Sequence, residues 1–351
     1  MIEQKFFHPV FESETKGRST MKRFQTIEPS IGYTLLIVAC GMTFLHSTVL
    51  AVPPDYAAAD DHISLTGVGA DNPLIYDNDW WRDVPDAAYL WAKASLGEAN
   101  LKGNIVSRDM WGWEEGYQYQ LADGMKDAQA LLKAAKASGL KNIPNPIAGA
   151  NAALIRPQSG KIEETTFTRT EGSDLIVVEA KRATPEKPLL VFVGGPCTTV
   201  ATAYLTDRSI ADRVIVFQID GGAYNGKDSW SWQIALQRFR FVNWADGYFW
   251  GDWSEWQPER FHRLPKNPLT EALSNYANSD LGKANQWGDG AWIFALFEPR
   301  CISKVLDKKV NELTVPKEGT NFRWIEDEFF KTMSDPKVYG DSKIRDSKGI
   351  K

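Results

Sequence analysis

The 351-residue sequence has few cysteines, few histidines and no large excess of charge of either sign. Its three cysteines exclude a disulfide framework of the kind that holds small secreted domains together. With 40 basic and 45 acidic residues the net charge is -5, which gives no electrostatic reason to expect a nucleic-acid partner. No internal repeat and no linker rich in glycine, serine or proline divides residues 70–315, so we expect one domain there.

Apolar and aromatic residues, by contrast, are plentiful. Hydrophobic residues make up 43% of the chain and aromatic residues 12%, which excludes a disordered, collagen-like or coiled-coil protein. The 14 tryptophans include the pairs Trp80–Trp81 and Trp230–Trp232, and they are more than a core of this size needs. We therefore expect some of them to line a pocket or an exposed surface.

The N-terminal part of the chain has the layout of a secretory signal. Residues 31–51 are almost entirely apolar, and they follow Lys22 and Arg23, which stand directly after an internal Met21. This pattern predicts translation from Met21, cleavage before a mature chain that begins near Val52, and a secreted or periplasmic protein.

Two other uses of the apolar segment stay open. It is long enough to serve as a single membrane anchor, and residues 37–40 resemble a bacterial lipobox that would place a lipid on Cys40. Without such a lipid we expect no stable membrane association. Removal of the segment leaves Cys197 and Cys301, and whether they form a bridge cannot be read from the sequence.

We divide the chain into four parts. They are an N-terminal extension with the signal peptide (residues 1–51), a linker (52–69), an α/β domain (70–315) and a polar C-terminal helix or tail (316–351).

Within the domain, short runs of valine, isoleucine and leucine alternate with segments of helical periodicity. We predict strands at residues 73–76, 101–107, 188–193 and 214–219, and helices at 85–96, 118–138, 173–182 and 198–206. Continuous apolar strands separated by helices predict a mostly parallel, open sheet with helices on both faces. In such folds, ligands bind beyond the carboxyl ends of the strands.

Four carboxylates follow the first of these strands. Asp77, Asp79, Asp83 and Asp86 lie within ten residues, where their charges repel one another unless solvent or a hard cation lies among them. Oxygen ligands favour Ca²⁺ or Mg²⁺ over zinc. The alternative is that Asp83 caps the following helix and that the other carboxylates are solvated.

Later segments, taken in order with this cluster, resemble the nucleoside hydrolase family of inosine- and uridine-preferring enzymes. Its first strand ends in Asp-x-Asp followed by further Asp residues, as in residues 77–86 here. Its Gly-Pro-Leu-Thr-Asn-x-Ala signature corresponds to residues 195–201, and its Ile-Pro-Val-x-x-Gly strand to residues 143–149. The similarity covers roughly residues 73–299, and it implies a Rossmann-like α/β core.

The resemblance implies a Ca²⁺-dependent hydrolase of N-glycosidic bonds in purine nucleosides or related ribosides. The implied Ca²⁺ ligands are Asp79, Asp86, the carbonyl of Thr198 and Asp289, and Asp79 is also the implied catalytic base. In this family the cation binds the ribose diol and a water that attacks the anomeric carbon. The residues implied to bind substrate are Asp77, Asp83, Asn243, Trp287 and Trp111.

The chain also departs from the family pattern. Trp80 and Trp81 replace small residues of the family loop, which predicts a reshaped sugar subsite. Gly288 occupies the place of the histidine that protonates the leaving base in pyrimidine-processing members, so no general acid is evident. Purine-preferring members stack the base between tryptophans, which is the role that Trp287, Trp111 or Trp113 would take here.

Two other functions compete with this one. Asp-x-Asp after a strand also opens haloacid-dehalogenase-like phosphatases, with Asp77 as nucleophile and Asp79 as general acid, but that family needs a hydroxyl residue where Trp80 stands. A non-catalytic secreted carbohydrate-binding protein on the same scaffold is favoured by the surplus of tryptophan. In each case the partner is a small molecule, and the sequence leaves a homo-oligomer open.

Overall fold

The computed structural model describes residues 57–59, 62–64, 68–80, 84–110, 120–219, 228–244, 257–285, 290–302, 307–309, 312–315 and 319–340. All of them belong to one unit, residues 50–351. The predicted signal segment, residues 31–51, lies outside the described residues, and the domain boundaries stay predictions. None of the described helices is both long enough and apolar enough to cross a membrane.

The structure describes ten strands. They are β1 (Ala57–Ala59), β2 (His62–Ser64), β3 (Pro73–Asn78), β4 (Asn100–Val106), β5 (Pro146–Ala148), β6 (Leu189–Gly194), β7 (Val214–Ile219), β8 (Arg240–Trp244), β9 (Asp307–Lys309) and β10 (Glu312–Val315).

The described α-helices are α1 (Val84–Leu96), α2 (Leu121–Ala137), α3 (Glu171–Arg182), α4 (Thr198–Thr206), α5 (Ser229–Arg238), α6 (Pro258–Phe261), α7 (Pro268–Asn278), α8 (Asp280–Asn285), α9 (Ala291–Phe297) and α10 (Phe322–Ser334). The described residues also form four short 3₁₀ helices, at Ile162–Glu164, Arg208–Arg213, Pro299–Cys301 and Pro336–Tyr339.

Eight of the strands form one open sheet in the order β5-β4-β3-β6-β7-β8-β10-β9. All neighbouring pairs from β5 to β10 are parallel, and β9 is antiparallel at the edge. The predicted α/β class with a mostly parallel sheet is therefore confirmed. β1 and β2 form a separate antiparallel pair.

The order of the strands reverses between β3 and β6. From β3 the chain adds β4 and β5 on one side, and from β6 it adds β7 and β8 on the other. The crevice between two such diverging strands, at their carboxyl ends, is where open α/β sheets bind their ligands. The segments after β3 and β6 are therefore the first place to look for a functional site.

Each face of the sheet is covered by its own hydrophobic core. Alternate residues of β3 point to opposite faces, so that Leu74 and Tyr76 belong to one core and Ile75 to the other. We call these the α1 face, to which α1, α2, α7, α9 and α10 contribute, and the α4 face, to which α3, α4 and α5 contribute.

The two described cysteines lie on different faces. Cys197 belongs to the core of the α4 face and Cys301 to that of the α1 face, and both are buried free thiols. The sheet separates them, so no bridge joins them.

Tryptophan is used largely as core material in the described part of the chain. Trp91, Trp230, Trp244 and Trp292 are all at most 5% exposed, and Trp244 and Trp292 pack edge to face with centroids 4.7 Å apart. Their number therefore reflects packing between the sheet and its helices, more than an exposed binding surface.

Candidate active site

Asp77 lies near the end of β3 and is completely buried. The Ser107 hydroxyl, just after β4, donates a hydrogen bond to Asp77 Oδ1 at 2.5 Å, and it lies 2.7 Å from the hydroxyl of Thr199 on α4. Burial raises the pKa of Asp77 to about 7, although the hydroxyl groups oppose that shift. Three elements thus converge on one buried carboxylate.

Asp79 follows β3 directly and faces the segment after β6. It is 5% exposed, and a Cβ atom on Gly195 would lie 3.1 Å from Asp79 Oδ2. This contact is tighter than most Cβ contacts, so a side chain at position 195 would require Asp79 to shift by a few tenths of an ångström. Asp79 therefore lies at the point where the strand order reverses.

Asp86 occupies the first turn of α1 and is also completely buried. A Cβ atom on Gly290 would lie only 2.5 and 2.6 Å from its two carboxylate oxygens, so the backbone just before α9 lies against this side chain. Gly290 directly follows Asp289 in the sequence, and Asp289 itself lies outside the described residues.

Thr198 is the first residue of α4, and its hydroxyl donates a hydrogen bond to Oδ2 of Asp228. Asp228 is completely buried, and its Oδ1 accepts a hydrogen bond from the backbone N–H of Ser231, which caps α5. Burial raises the pKa of Asp228, and the hydrogen bond from Thr198 acts in the opposite direction.

Asp228 is a further residue of this region and was not predicted from the sequence. An aspartate three residues before Ser231 is a signal for the start of a helix. Nothing in the local sequence indicates that the same side chain reaches α4, because that contact depends on how the segments after β6 and β7 pack.

Asn243 lies on β8, where it pairs in register with Gln218 of β7, and it is 8% exposed. Its Oδ1 has no hydrogen-bond partner among the described residues. The amide of Gln218 donates to the carbonyl of Gly195 at 2.9 Å, and its Oε1 accepts from Cys197 Sγ at 3.2 Å. Gln218 therefore fixes the backbone between β6 and α4.

The side chain of Trp80 lies in a hydrophobic core. Its backbone has a positive φ of 63°, and its side chain is only 3% exposed. The ring packs 5.5 Å from Trp91 and 5.9 Å from Tyr76, in the core of the α1 face. The Trp80 indole is therefore a core residue, and the prediction that the Trp80–Trp81 pair reshapes the sugar subsite stays a prediction.

Several predicted site residues cannot be placed. Asp83, Trp111, Trp113, Trp287 and Asp289 lie outside the described residues, as do Trp81 and Gly288. Their predicted roles stay predictions.

The described part of the site supplies oxygen donors of the kind that Ca²⁺ prefers. Asp79 lies in close contact with Gly195, Asp86 lies against Gly290 with no room for a Cβ there, and Thr198 adds a hydroxyl and a carbonyl. Among the described residues, no three His, Cys, Asp or Glu side chains are grouped so that they could hold a metal ion. The predicted set includes only two described carboxylates, Asp79 and Asp86, and calcium binding with Asp289 as a further ligand stays a prediction.

The fold is similar to that of nucleoside hydrolases of known structure. A plant nucleoside hydrolase matches with a TM-score of 0.53 and 13% identity, over 76% of this chain and 99% of its own. A purine-preferring ribonucleoside hydrolase from Gardnerella vaginalis matches with a TM-score of 0.53 and 13% identity, over 75% and 98%. No protein-family model and no curated protein matches the sequence. At this identity the likeness concerns the fold, and the chain has the fold of the nucleoside hydrolases.

Proposed function

We propose that the protein is a secreted, Ca²⁺-dependent hydrolase that cleaves the N-glycosidic bond of purine nucleosides or related ribosides. The observation that carries this proposal is the burial of Asp79 and Asp86 against the glycines that begin two other segments, Gly195 and Gly290. Asp79 lies beyond the carboxyl end of β3 at the strand-order reversal, where open α/β sheets bind ligands, and carboxylate oxygens are donors that Ca²⁺ prefers. The fold adds support, because its structural neighbours include nucleoside hydrolases.

In the proposed reaction, water attacks the anomeric carbon and Asp79 accepts its proton, while the C–N glycosidic bond breaks and the base leaves with that electron pair and is protonated. Asp86, Thr198 and Asp289 would hold Ca²⁺ together with Asp79, and the bound cation supplies a fixed ribose diol and a more acidic water. The amide of Asn243 binds a ribose hydroxyl. The negative field of the neighbouring carboxylates, Asp77 and Asp83 among them, stabilises the positive charge that develops on the ribosyl group.

The proposal assigns recognition of the base to stacking on Trp287 and Trp111. Both residues stand in segments outside those described, and their role comes from the family resemblance. It predicts a preference for purines over pyrimidines, since the larger ring system gains more from stacking.

The test is release of base and reducing sugar from a panel of purine and pyrimidine nucleosides, with Ca²⁺ and with a chelator. We expect cleavage of purine nucleosides that is lost with the chelator and with Asp79→Ala. The matched control is Asp280→Ala, because the Asp280 side chain is fully exposed on α8.

Two results would count against the proposed reaction. Cleavage that survives in Asp79→Ala would remove this residue from the role of base. No turnover of any nucleoside, while Ca²⁺ still raises the melting temperature of the wild type, would instead favour the carbohydrate-binding alternative.

Secretion has its own test. Expression of the full chain in a bacterial host with N-terminal sequencing of the exported protein should give a mature chain that begins near Val52. Recovery of the protein only in the cytoplasm with residues 31–51 intact would contradict it.

A further inference from the structure

The corner between β6 and α4 carries two contacts of the proposed site. Gly195 lies against Asp79, and Thr198 begins α4. This corner is held from the neighbouring segments at both ends, by Gln218 at Gly195 and by Asp228 at Thr198. Its geometry therefore depends on two buried polar side chains that belong to β7 and to the start of α5.

Burying the carboxylate of Asp228 costs more desolvation free energy than a helix cap alone requires. Its side chain is completely buried, and no ion pair compensates its charge among the described residues. Serine, threonine or asparagine caps a helix as well as aspartate does, without a charge to desolvate. The second carboxylate oxygen is used on Thr198, which indicates a role beyond the start of α5.

We propose that Asp228 is a positioning residue, which fixes Thr198 and the β6–α4 corner in the geometry that the calcium site requires. This inference rests on the proposed function, because it assumes that Thr198 and Asp79 take part in metal binding. Asp228 acts through the hydroxyl of Thr198 and does not itself touch the metal or the substrate.

The alternative is that Asp228 only caps α5. The two roles use different oxygens of one carboxylate, Oδ1 for Ser231 and Oδ2 for Thr198, and the backbone of Leu154 also donates to this carboxylate. A change at Thr198 that removes its hydroxyl leaves the cap on Ser231 in place. Thr198→Val is that change, since valine has nearly the same shape as threonine.

The experiment measures calcium affinity of the purified full-length protein by titration calorimetry, with calcium chloride alone as the ligand. We expect Thr198→Val to weaken calcium binding by about 10- to 100-fold, as removal of an outer-shell partner of a metal site commonly does. Thr198→Ser restores the hydroxyl and should recover most of the affinity. Thr202→Val, one turn further along α4 at another buried threonine, is the matched control and should bind within about twofold of the wild type.

The outcomes separate this inference from the proposed function. Wild-type affinity in Thr198→Val would overturn the inference and leave the calcium site intact. No calcium binding by the wild type would overturn both. If Thr198→Val does not fold, Asp228→Asn keeps one oxygen for the cap of α5 and removes the charge, and unchanged calcium affinity in that variant would overturn the inference.

Discussion

Two buried carboxylates of this protein are compensated in opposite ways. Glu328 on α10 is 4% exposed and lies 2.8 Å from Lys93 of α1 and 3.0 Å from Lys331. Asp77, at the carboxyl edge of the sheet, is completely buried and is held by the hydroxyl of Ser107. Among the described residues, no basic side chain pairs with it.

The difference appears in the ionisation of the two groups. Burial alone would raise the pKa of Glu328, but the two lysines outweigh it and the pKa is lowered. For Asp77 burial prevails, and the pKa rises to about 7. Glu328 is thus held as an anion by two lysines, whereas Asp77 has no basic partner among the described residues and its burial favours the protonated carboxyl group.

The largest effect that we expect is on stability, at the compensated carboxylate. Glu328→Gln removes the buried partner of Lys93, whose side chain is 8% exposed and keeps only the half-exposed Glu98, 2.9 Å away, so the free energy of unfolding should fall by about 2 to 3 kcal/mol. Urea denaturation measures it. Lys331→Gln removes only the exposed partner and should cost under about 1 kcal/mol. Equal effects of the two substitutions would refute the assignment of Lys93 as the buried partner.

At Asp77 we expect the reverse of the result for Glu328, a loss of activity without a loss of stability. Asp77→Asn keeps the shape and an acceptor for Ser107 but removes a charge that the proposed reaction uses, so kcat/KM should fall by about 10²- to 10³-fold. Stability should stay equal or rise, since no desolvated charge remains. If Asp77→Asn lowers the free energy of unfolding as much as Glu328→Gln does, the proposed difference between the two carboxylates is wrong.

A smaller effect should come from crowding the carboxylate of Asp86. In Gly290→Ala the new Cβ meets that carboxylate, and displacement should cost about 1 to 3 kcal/mol and weaken calcium binding. Gly97→Ala is the control, because nothing lies within 4 Å of a Cβ there and its φ of 77° alone should cost about 1 kcal/mol. Thermal melts with and without Ca²⁺ distinguish the two variants. If Ca²⁺ raises the melting temperature of both by the same amount, Asp86 is not a calcium ligand.

The smallest effect belongs to an exposed pair. The hydrogen bond from Lys181 lowers the pKa of Asp207 to about 2, so the stabilisation is complete above the ordinary value of about 3.9 and is lost as the pH falls towards 2. Lys181→Met should therefore be less stable than the wild type by under about 1 kcal/mol at neutral pH. The difference should vanish below pH 2 in melts followed by circular dichroism. A gap that widens in acid would contradict this sign.

The helices and strands could be predicted where the local sequence pattern alone determines them. The apolar run of β7 and the periodicity of α4 give the observed bounds, and α2 ends at Ala137, just before Gly139 with a φ of 99°. The strand β8 was not predicted, because Arg240–Trp244 interrupts its apolar residues with Asn243. The sequence around α10 is polar and predicted a C-terminal helix or tail. In the structure this helix buries Ile325, Phe329 and Met333 completely.

The site was predictable only in part, for a physical reason. Asp77, Asp79 and Asp86 lie close in sequence at the end of one strand, so a motif identifies them. Asp228 reaches the same region through the packing of α5 against α4, and Trp80 turns away from it through one left-handed residue. Contacts of that kind depend on tertiary structure, and neither composition nor spacing encodes them.

Each of the two hydrophobic cores contains one buried free cysteine, so chemical labelling of the cysteines can probe the two faces of the sheet separately. Burial raises the pKa of both Cys197 and Cys301, so neither reacts with a thiol reagent until its surroundings open. The rate of labelling at each cysteine therefore measures how often the structure around that cysteine opens by local unfolding. A ligand that tightens the β6–α4 corner should protect Cys197 far more than Cys301, and this would locate where it binds without any assay of turnover.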